Sequence, residues 1–223
     1  KNHFLLYKRL KAVELSMDTA KAMSYSNLFI TAYDKSNEWM LEWFLSNFTK
    51  HNNTPILPYD FDTFKTPVDS SKNWFKKPFA MIDAAKQADK VCWIDLDCHV
   101  QGSIDDIFDY IEPNKLAMVE DLPWSNRRGE RWHNSGVVAF QGRPMILDTW
   151  AAQVSLSPDV GDQEVLHSIV RHDMKRLINI TDLPRRYNTL RLDVIDNTVP
   201  SDMKVMHWTG AKGKEKIWSL INE

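Results

Sequence analysis

Nowhere in the 223 residues is there an uninterrupted run of 18 apolar residues, so no transmembrane helix is expected. Nor is there a basic block long enough to follow a nucleic-acid backbone. Lys76-Lys77, Arg127-Arg128 and Arg185-Arg186 are scattered, and the formal net charge is -2. Only two cysteines are present, Cys92 and Cys98, close together in an apolar stretch. That excludes a disulfide framework and predicts buried, reduced thiols. The chain does not begin with Met, and its opening residues lack the charged-then-apolar pattern of a secretory signal. The expectation is a reducing, cytoplasmic setting, for a whole protein or for one domain of a longer one. Internal repeats and low-complexity segments are also missing.

What is there suits one α/β domain. A hydrophobic share of 43% with 26% charged residues is ordinary for a soluble globular chain, and the length suffices for a full core. Residues 1–25, with loosely periodic leucines, read as a helical extension ahead of a domain over 26–223. Short apolar runs then alternate with amphipathic stretches, which is the pattern of α/β topology. Strands are predicted over 28–32, 54–58, 91–94, 116–119, 136–140 and 203–207. Helices are predicted around Trp39 to Phe44 and over 78–87, 103–110, 144–153, 163–170 and 214–222. The stretch over 124–133 reads as a polar, aromatic loop. Most of the nine tryptophans belong in the core, although indole faces also suit sugar rings.

The run Val91-Cys92-Trp93-Ile94 is of the kind buried on both faces of a sheet, and it ends abruptly in Asp95-Leu96-Asp97. If the strand continued through them, the two carboxylates would project to the same side. Adjacent carboxylates repel, so a shared hard cation, Mn²⁺ or Mg²⁺, would keep both ionised and could also take diphosphate oxygens. In open α/β sheets ligands gather at the carboxyl ends of strands. Taken alone, an Asp-x-Asp is more often a solvated turn.

Its context is more specific. The stretch from Ile94-Asp95-Leu96-Asp97 to Ser103-Ile104-Asp105-Asp106-Ile107-Phe108 resembles the donor-site signature of glycosyltransferase family 8, the glycogenin-like group. Further segments resemble that family in the same order: Asn134-Ser135-Gly136, Asp159-Val160-Gly161-Asp162-Gln163, Leu183-Pro184 with Tyr187-Asn188, and His207-Trp208-Thr209-Gly210. The resemblance implies a GT-A fold, a three-layer α/β domain with a mostly parallel central sheet flanked by helices. It implies a metal-dependent, retaining transfer of a hexose, glucose or galactose, from a UDP-sugar to a hydroxyl of a glycan or glycoconjugate acceptor.

Roles follow from the same resemblance. Asp95, Asp97 and His207 would hold the cation. Thr31, Ala32 and Tyr33 would border the base and ribose. Lys77, with Lys76 as the alternative, would contact phosphate. Leu96, Asn134, Ser135, Asp159, Gly210 and Lys212 would complete the donor site, with Asp162 and Gln163 nearest the reacting carbon. Read plainly, Asp162 is an ordinary helix N-cap and both readings can hold together. The chain departs from the family after Gly210: its lysines stand in Ala211-Lys212-Gly213-Lys214 rather than in Lys-Pro-Trp. The segment over 124–133 and the surroundings of Tyr187 are candidates for the acceptor side. Two other readings compete: a non-catalytic nucleotide-sugar or carbohydrate-binding domain of the same fold, and a haloacid-dehalogenase-type phosphatase with Asp95 as nucleophile.

Overall fold

Strand β1 (Tyr25–Tyr33) is buried on both faces from Leu28 onward, and the two faces feed two different cores. Leu28, Ile30 and Ala32 point into one apolar cluster, Phe29 and Tyr33 into the other, as the period of two requires. The computed structural model describes residues 25–70 and 72–223. The helix predicted over 1–25 lies outside them, except that Tyr25 opens β1.

A six-stranded sheet runs in the order β2-β1-β3-β6-β5-β7, formed with Ile56–Asp60 (β2), Ala88–Ile94 (β3), Leu116–Glu120 (β5), His133–Gln141 (β6) and Ile180–Asp182 (β7). The pairs β1·β2, β1·β3 and β5·β7 are parallel, and β6 alone runs against its neighbours. One face carries α2 (Lys77–Ala84), α4 (Met145–Leu156) and α5 (Asp162–Val170), through Met81, Trp150 and Leu166 among others. The other face carries α1 (Leu41–His51), the 3₁₀ segment Asp105–Tyr110 and a small sheet of β4 (Cys98–Val100), β9 (Val205–His207) and β8 (Thr189–Leu190). Phe29, fully buried here, meets Phe48 and Phe108 edge-on, each at 4.9 Å. This is the expected three-layer α/β architecture.

Several local expectations are corrected. The strand does not run through the Asp pair: β3 stops at Ile94, and Cys98 N–H donates to the Asp95 carbonyl at 3.1 Å, closing a turn over 95–98. The segment over 124–133 is only partly a loop, its irregular stretch being confined to 129–132. Residues Leu122–Arg128 form helix α3, with Asp121 accepting from Trp124 N–H at 3.1 Å as its N-cap and Gly129, at φ 68°, ending it. Asp105 begins a 3₁₀ segment rather than an α-helix, and its carboxylate accepts the backbone N–H groups of Asn53 and Thr54. Helices α6 (Asp173–Asn179) and α7 (Arg191–Ile195) are not expected from the sequence, because neither carries a buried apolar stripe. The C-terminal helix α8 begins earlier than expected, at Gly210, and runs to Asn222.

One irregularity bends the sheet at its carboxyl edge. The pairing of β5 with β6 slips between Met118 and Val119, from Met118 opposite Val138 to Val119 opposite Asn134. Three residues of β6, Ser135, Gly136 and Val137, therefore bulge away from β5, while Val137 stays paired with Ile94 of β3 and the Gly136 carbonyl accepts from Asp95 N–H.

Candidate active site

A cleft of about 460 Å³ opens where the carboxyl ends of β1 and β3 diverge, the switch point of the sheet order. Ala32, Tyr33, Asp34, Asn37 and Met40 line it from the β1 side, and Asp95, Leu96 and Asp97 from the β3 turn. Lys77 and Asp162 form its floor, Phe61, Asn73 and Trp74 one wall, and Lys214 comes from α8.

At the floor, the buried Lys77 ammonium reaches Asp162 Oδ2 at 3.0 Å, Asp95 Oδ1 at 3.1 Å, and the carbonyl and hydroxyl of Ser135 at 3.1 and 3.2 Å. Burial works against the ammonium, but Asp162 and Asp95 outweigh it and hold the Lys77 pKa above the ordinary lysine value. The lysine thus ties the β3 turn to α5 and stays charged. Asp162 also accepts from Ser135 Oγ at 2.7 Å, so its carboxylate serves the floor and the N-cap position itself belongs to Gly161. Lys76 is turned elsewhere, its ammonium donating to the Phe61 carbonyl.

Above the floor, His207 Nε2 lies 3.0 Å from Asp97 Oδ1 and 3.7 Å from Asp95 Oδ2. Asn188 Oδ1 sits 3.0 Å from Nδ1 on the other side of the ring. Since Asn188 Nδ2 donates to Asn134 Oδ1 at 2.8 Å, the carbonyl end of Asn188 must face the ring. It accepts Nδ1–H, and Nε2 is left to face the carboxylates. Burial disfavours the imidazolium, yet Asp97 and Asp95 raise the His207 pKa above its ordinary value. Reciprocally, and despite burial, His207 keeps the Asp97 pKa below 3.8. Gly136 makes the seat possible, because a Cβ there would stand 2.2 Å from His207 Cε1.

The donor set fits a hard divalent cation: two carboxylates and an imidazole whose tautomer is fixed from behind. Asp97, Cys98 and His207 offer ligand atoms within 4.8 Å of one another among the described residues. We give Cys98 no part in it. A soft sulfur ligand suits a hard cation poorly, and in the metal-free chain burial, reinforced by Asp97 and Asp95, pushes the Cys98 pKa up. Asp95 Oδ1 is held by Lys77 and by Trp93 Nε1–H at 2.6 Å, and Oδ2, which Lys77 reaches only at 3.5 Å, is the freer oxygen.

A chain of amides extends the site past Asn188. Asn134 Nδ2 donates to Gln163 Oε1 at 2.9 Å, and Ser135 N–H donates to the same oxygen at 3.2 Å. Gln163 and Asn134 both approach Asp121 Oδ2 at 3.4 Å. Burial raises the Asp121 pKa, against the pull of these donors.

Most of the residues singled out from sequence meet in or around this cleft. Ala32, Tyr33, Lys77, Asp95, Leu96, Asp97 and Asp162 line it, and His207, Asn134, Ser135 and Gln163 are bonded into its surroundings. Tyr33 is largely buried in the apolar cluster beneath. Thr31 is wholly buried and its hydroxyl finds no partner among the described residues. Asp159 is exposed and accepts from Ser70 Oγ at 2.8 Å, outside the cleft lining. Gly210 and Lys212 are exposed and do not line the cleft, whereas Lys214 does. Asn188, Asp121, Asn73 and Trp74 were not assigned roles from sequence. Asp121 had a signal, an Asp two residues before Pro123 at a helix start. Asn73 and Trp74 had none.

No family model and no curated protein sequence matches the chain. Solved structures do. The glycosyltransferase GlyE of Streptococcus pneumoniae TIGR4 superposes with a TM-score of 0.61 at 16% identity, over 86% of this chain and 60% of that one. A glycosyltransferase involved in glycosylating the major capsid of PBCV-1 gives 0.64 at 13%, over 86% of this chain and 98% of that one. The galactosyltransferase LgtC, solved with donor and acceptor sugar analogues, gives 0.55 at 14%, over 87% and 95%. Identities this low establish the fold: a mixed α/β domain of the GT-A type.

Proposed function

We propose that a chain with this fold and this cleft is a metal-dependent glycosyltransferase, moving a hexose from a nucleotide sugar, a UDP-sugar first of all, to a glycan or glycoconjugate hydroxyl. The observation that carries the reading is the convergence of Asp95 Oδ2, Asp97 Oδ1 and His207 Nε2, its tautomer fixed by Asn188, beside a cleft that continues to β1. Mn²⁺ or Mg²⁺ held by these three groups would supply positive charge against a departing nucleoside diphosphate.

The chain's own residues do the rest. Ala32, Tyr33 and Asn37 border the nucleotide end, and Lys214 is the phosphate-facing lysine, in place of Lys212. Asp162, fixed by Lys77 and Ser135, and Gln163, fixed by Asn134, face the donor sugar. In the reaction the bond from the anomeric carbon to the diphosphate oxygen breaks and the acceptor oxygen takes its place, giving up its proton. Retention of configuration follows the family resemblance.

The test is a panel of UDP- and GDP-sugars with Mn²⁺, Mg²⁺ or EDTA, with and without simple glycan acceptors, following both binding and nucleoside diphosphate release. Metal-dependent release from one donor, lost in folded Asp97→Ala and His207→Ala proteins, is the expected result. Metal-dependent binding without release under any condition would make the chain a binding module. Absence of metal-dependent binding to any donor would sink the proposal.

A further inference from the structure

Among the described residues, helix α8 is held to the body by little. Only Gly213 and Ile217 are buried along Gly210–Asn222. Its first turn lies against the backbone that follows His207: a Cβ at Gly213 would stand 1.9 Å from the Trp208 carbonyl oxygen. Lys214 lines the cleft, and Trp218 stands one turn further along the same face of the helix. Trp218 is 58% exposed, yet its ring meets that of Trp39 edge-on, with centroids 5.4 Å apart and planes at 69°. Trp39, itself 36% exposed, sits in the 3₁₀ turn Glu38–Met40, flanked by the cleft residues Asn37 and Met40. The indole pair therefore joins the helix that carries Lys214 to the segment that brings Asn37 and Met40 to the cleft.

We propose that Trp39 and Trp218 are positioning residues, a surface latch that holds α8 across the rim of the cleft and so sets Lys214 over a bound nucleoside diphosphate. The identity of that ligand rests on the function proposed above; the latch itself does not. An edge-to-face aromatic pair adds a modest but specific attraction. On a helix with two buried residues it is a large part of the docking, and helices so weakly held open locally and easily. Without the latch, binding must also order Lys214, which lowers affinity.

The experiment has two readouts. The first is amide hydrogen exchange of Trp39→Ala against wild type, with no ligand present. Exchange across 210–222 should quicken while that of β1 and β3 is unchanged; unchanged exchange in α8 overturns the latch. The second is binding of UDP, and separately GDP, with Mn²⁺. Trp39→Ala should weaken binding about 3- to 10-fold, and Trp39→Phe, which keeps an aromatic edge, should recover most of it. In a Lys214→Ala background the same Trp39→Ala change should cost much less, because the pair acts through Lys214. An equal loss in both backgrounds overturns that coupling. Should wild type bind neither nucleotide, the role given to Lys214 falls with the donor reading, and the exchange result still decides the latch independently.

Discussion

At the scale of single residues, the site depends on groups that touch no ligand themselves. Asn188 fixes the His207 ring from behind. Asn188→Ala should lower Mn²⁺ affinity about 10- to 100-fold, measured by titration calorimetry, with the fold retained by circular dichroism. Gly136 acts by having no side chain. Gly136→Ala drives a methyl into His207 Cε1 and, at 2.8 Å, Asn134 Oδ1. A drop in unfolding free energy of about 1–3 kcal/mol is expected, with Mn²⁺ binding lost alongside it. Unaltered Mn²⁺ affinity in both variants would show that His207 is not a ligand. Lys77 is a different case, since it is itself buried and removing it strands the buried carboxylate of Asp162 and the half-buried one of Asp95. Lys77→Met should therefore destabilise the protein by about 3–5 kcal/mol in urea unfolding, an effect that a solvent-facing phosphate lysine would not give.

At the scale of elements, helix α3 separates stability from chemistry. Gly129 ends it in the left-handed region at φ 68° and a Cβ there meets nothing within 4 Å. Gly129→Ala should cost about 1 kcal/mol in stability and leave donor turnover unchanged. Asp121→Ala removes the cap at the other end for about 1 kcal/mol as well, but it also frees Gln163 and Asn134. Turnover should fall in that variant beyond what its stability explains, as kinetics at a temperature well below both melting points would reveal. The bulge in β6 belongs to this scale too. It carries Ser135 and Gly136 out of register with β5, and so into reach of Lys77, Asp162 and His207.

At the scale of the whole molecule, the proposed cation would compete with a proton for one site. The His207 pKa lies above 6.5 in the folded chain and that of Asp97 below 3.8. The stabilisation from His207 is therefore full below about pH 6.5 and fades as pH rises through its folded value. That from Asp97 is present above about pH 3.8 and fades as pH falls through its folded value. The metal-free protein should gain most from the pair between about pH 4 and 6.5. Cation binding requires the His207 proton to leave. The rise in melting temperature caused by Mn²⁺ should consequently grow as pH climbs above about 6.5, and scanning calorimetry across pH 5.5–8.5 would check it. A shift independent of pH would exclude His207 from the cation site.

The legibility of fold and site in the sequence varies with the range of the interaction. Strands β1, β3 and β6 are visible because they are buried on both faces, and a continuous apolar run is a local property. The Asp pair is visible because polar residues end such a run abruptly. Its geometry is not, since a turn rather than a strand brings Asp95 and Asp97 together. Lys77 stands out in the sequence, but only packing shows that it faces Asp95 and Asp162 from within the floor. That Lys214 rather than Lys212 lines the cleft depends on where α8 begins, where Gly210 has φ 75° and Gly213 packs against Trp208.

The amino-acid sequence by itself determined the layered α/β class and the acids, amides and histidine available for chemistry, because periodicity and residue type are written locally. Tertiary structure alone decided their arrangement. Asn188, Asn134 and Gln163 form one hydrogen-bonded chain behind His207 although they come from separate parts of the chain. Contacts of that kind are created only when the sheet order and the β6 bulge are in place, and no local signal encodes them.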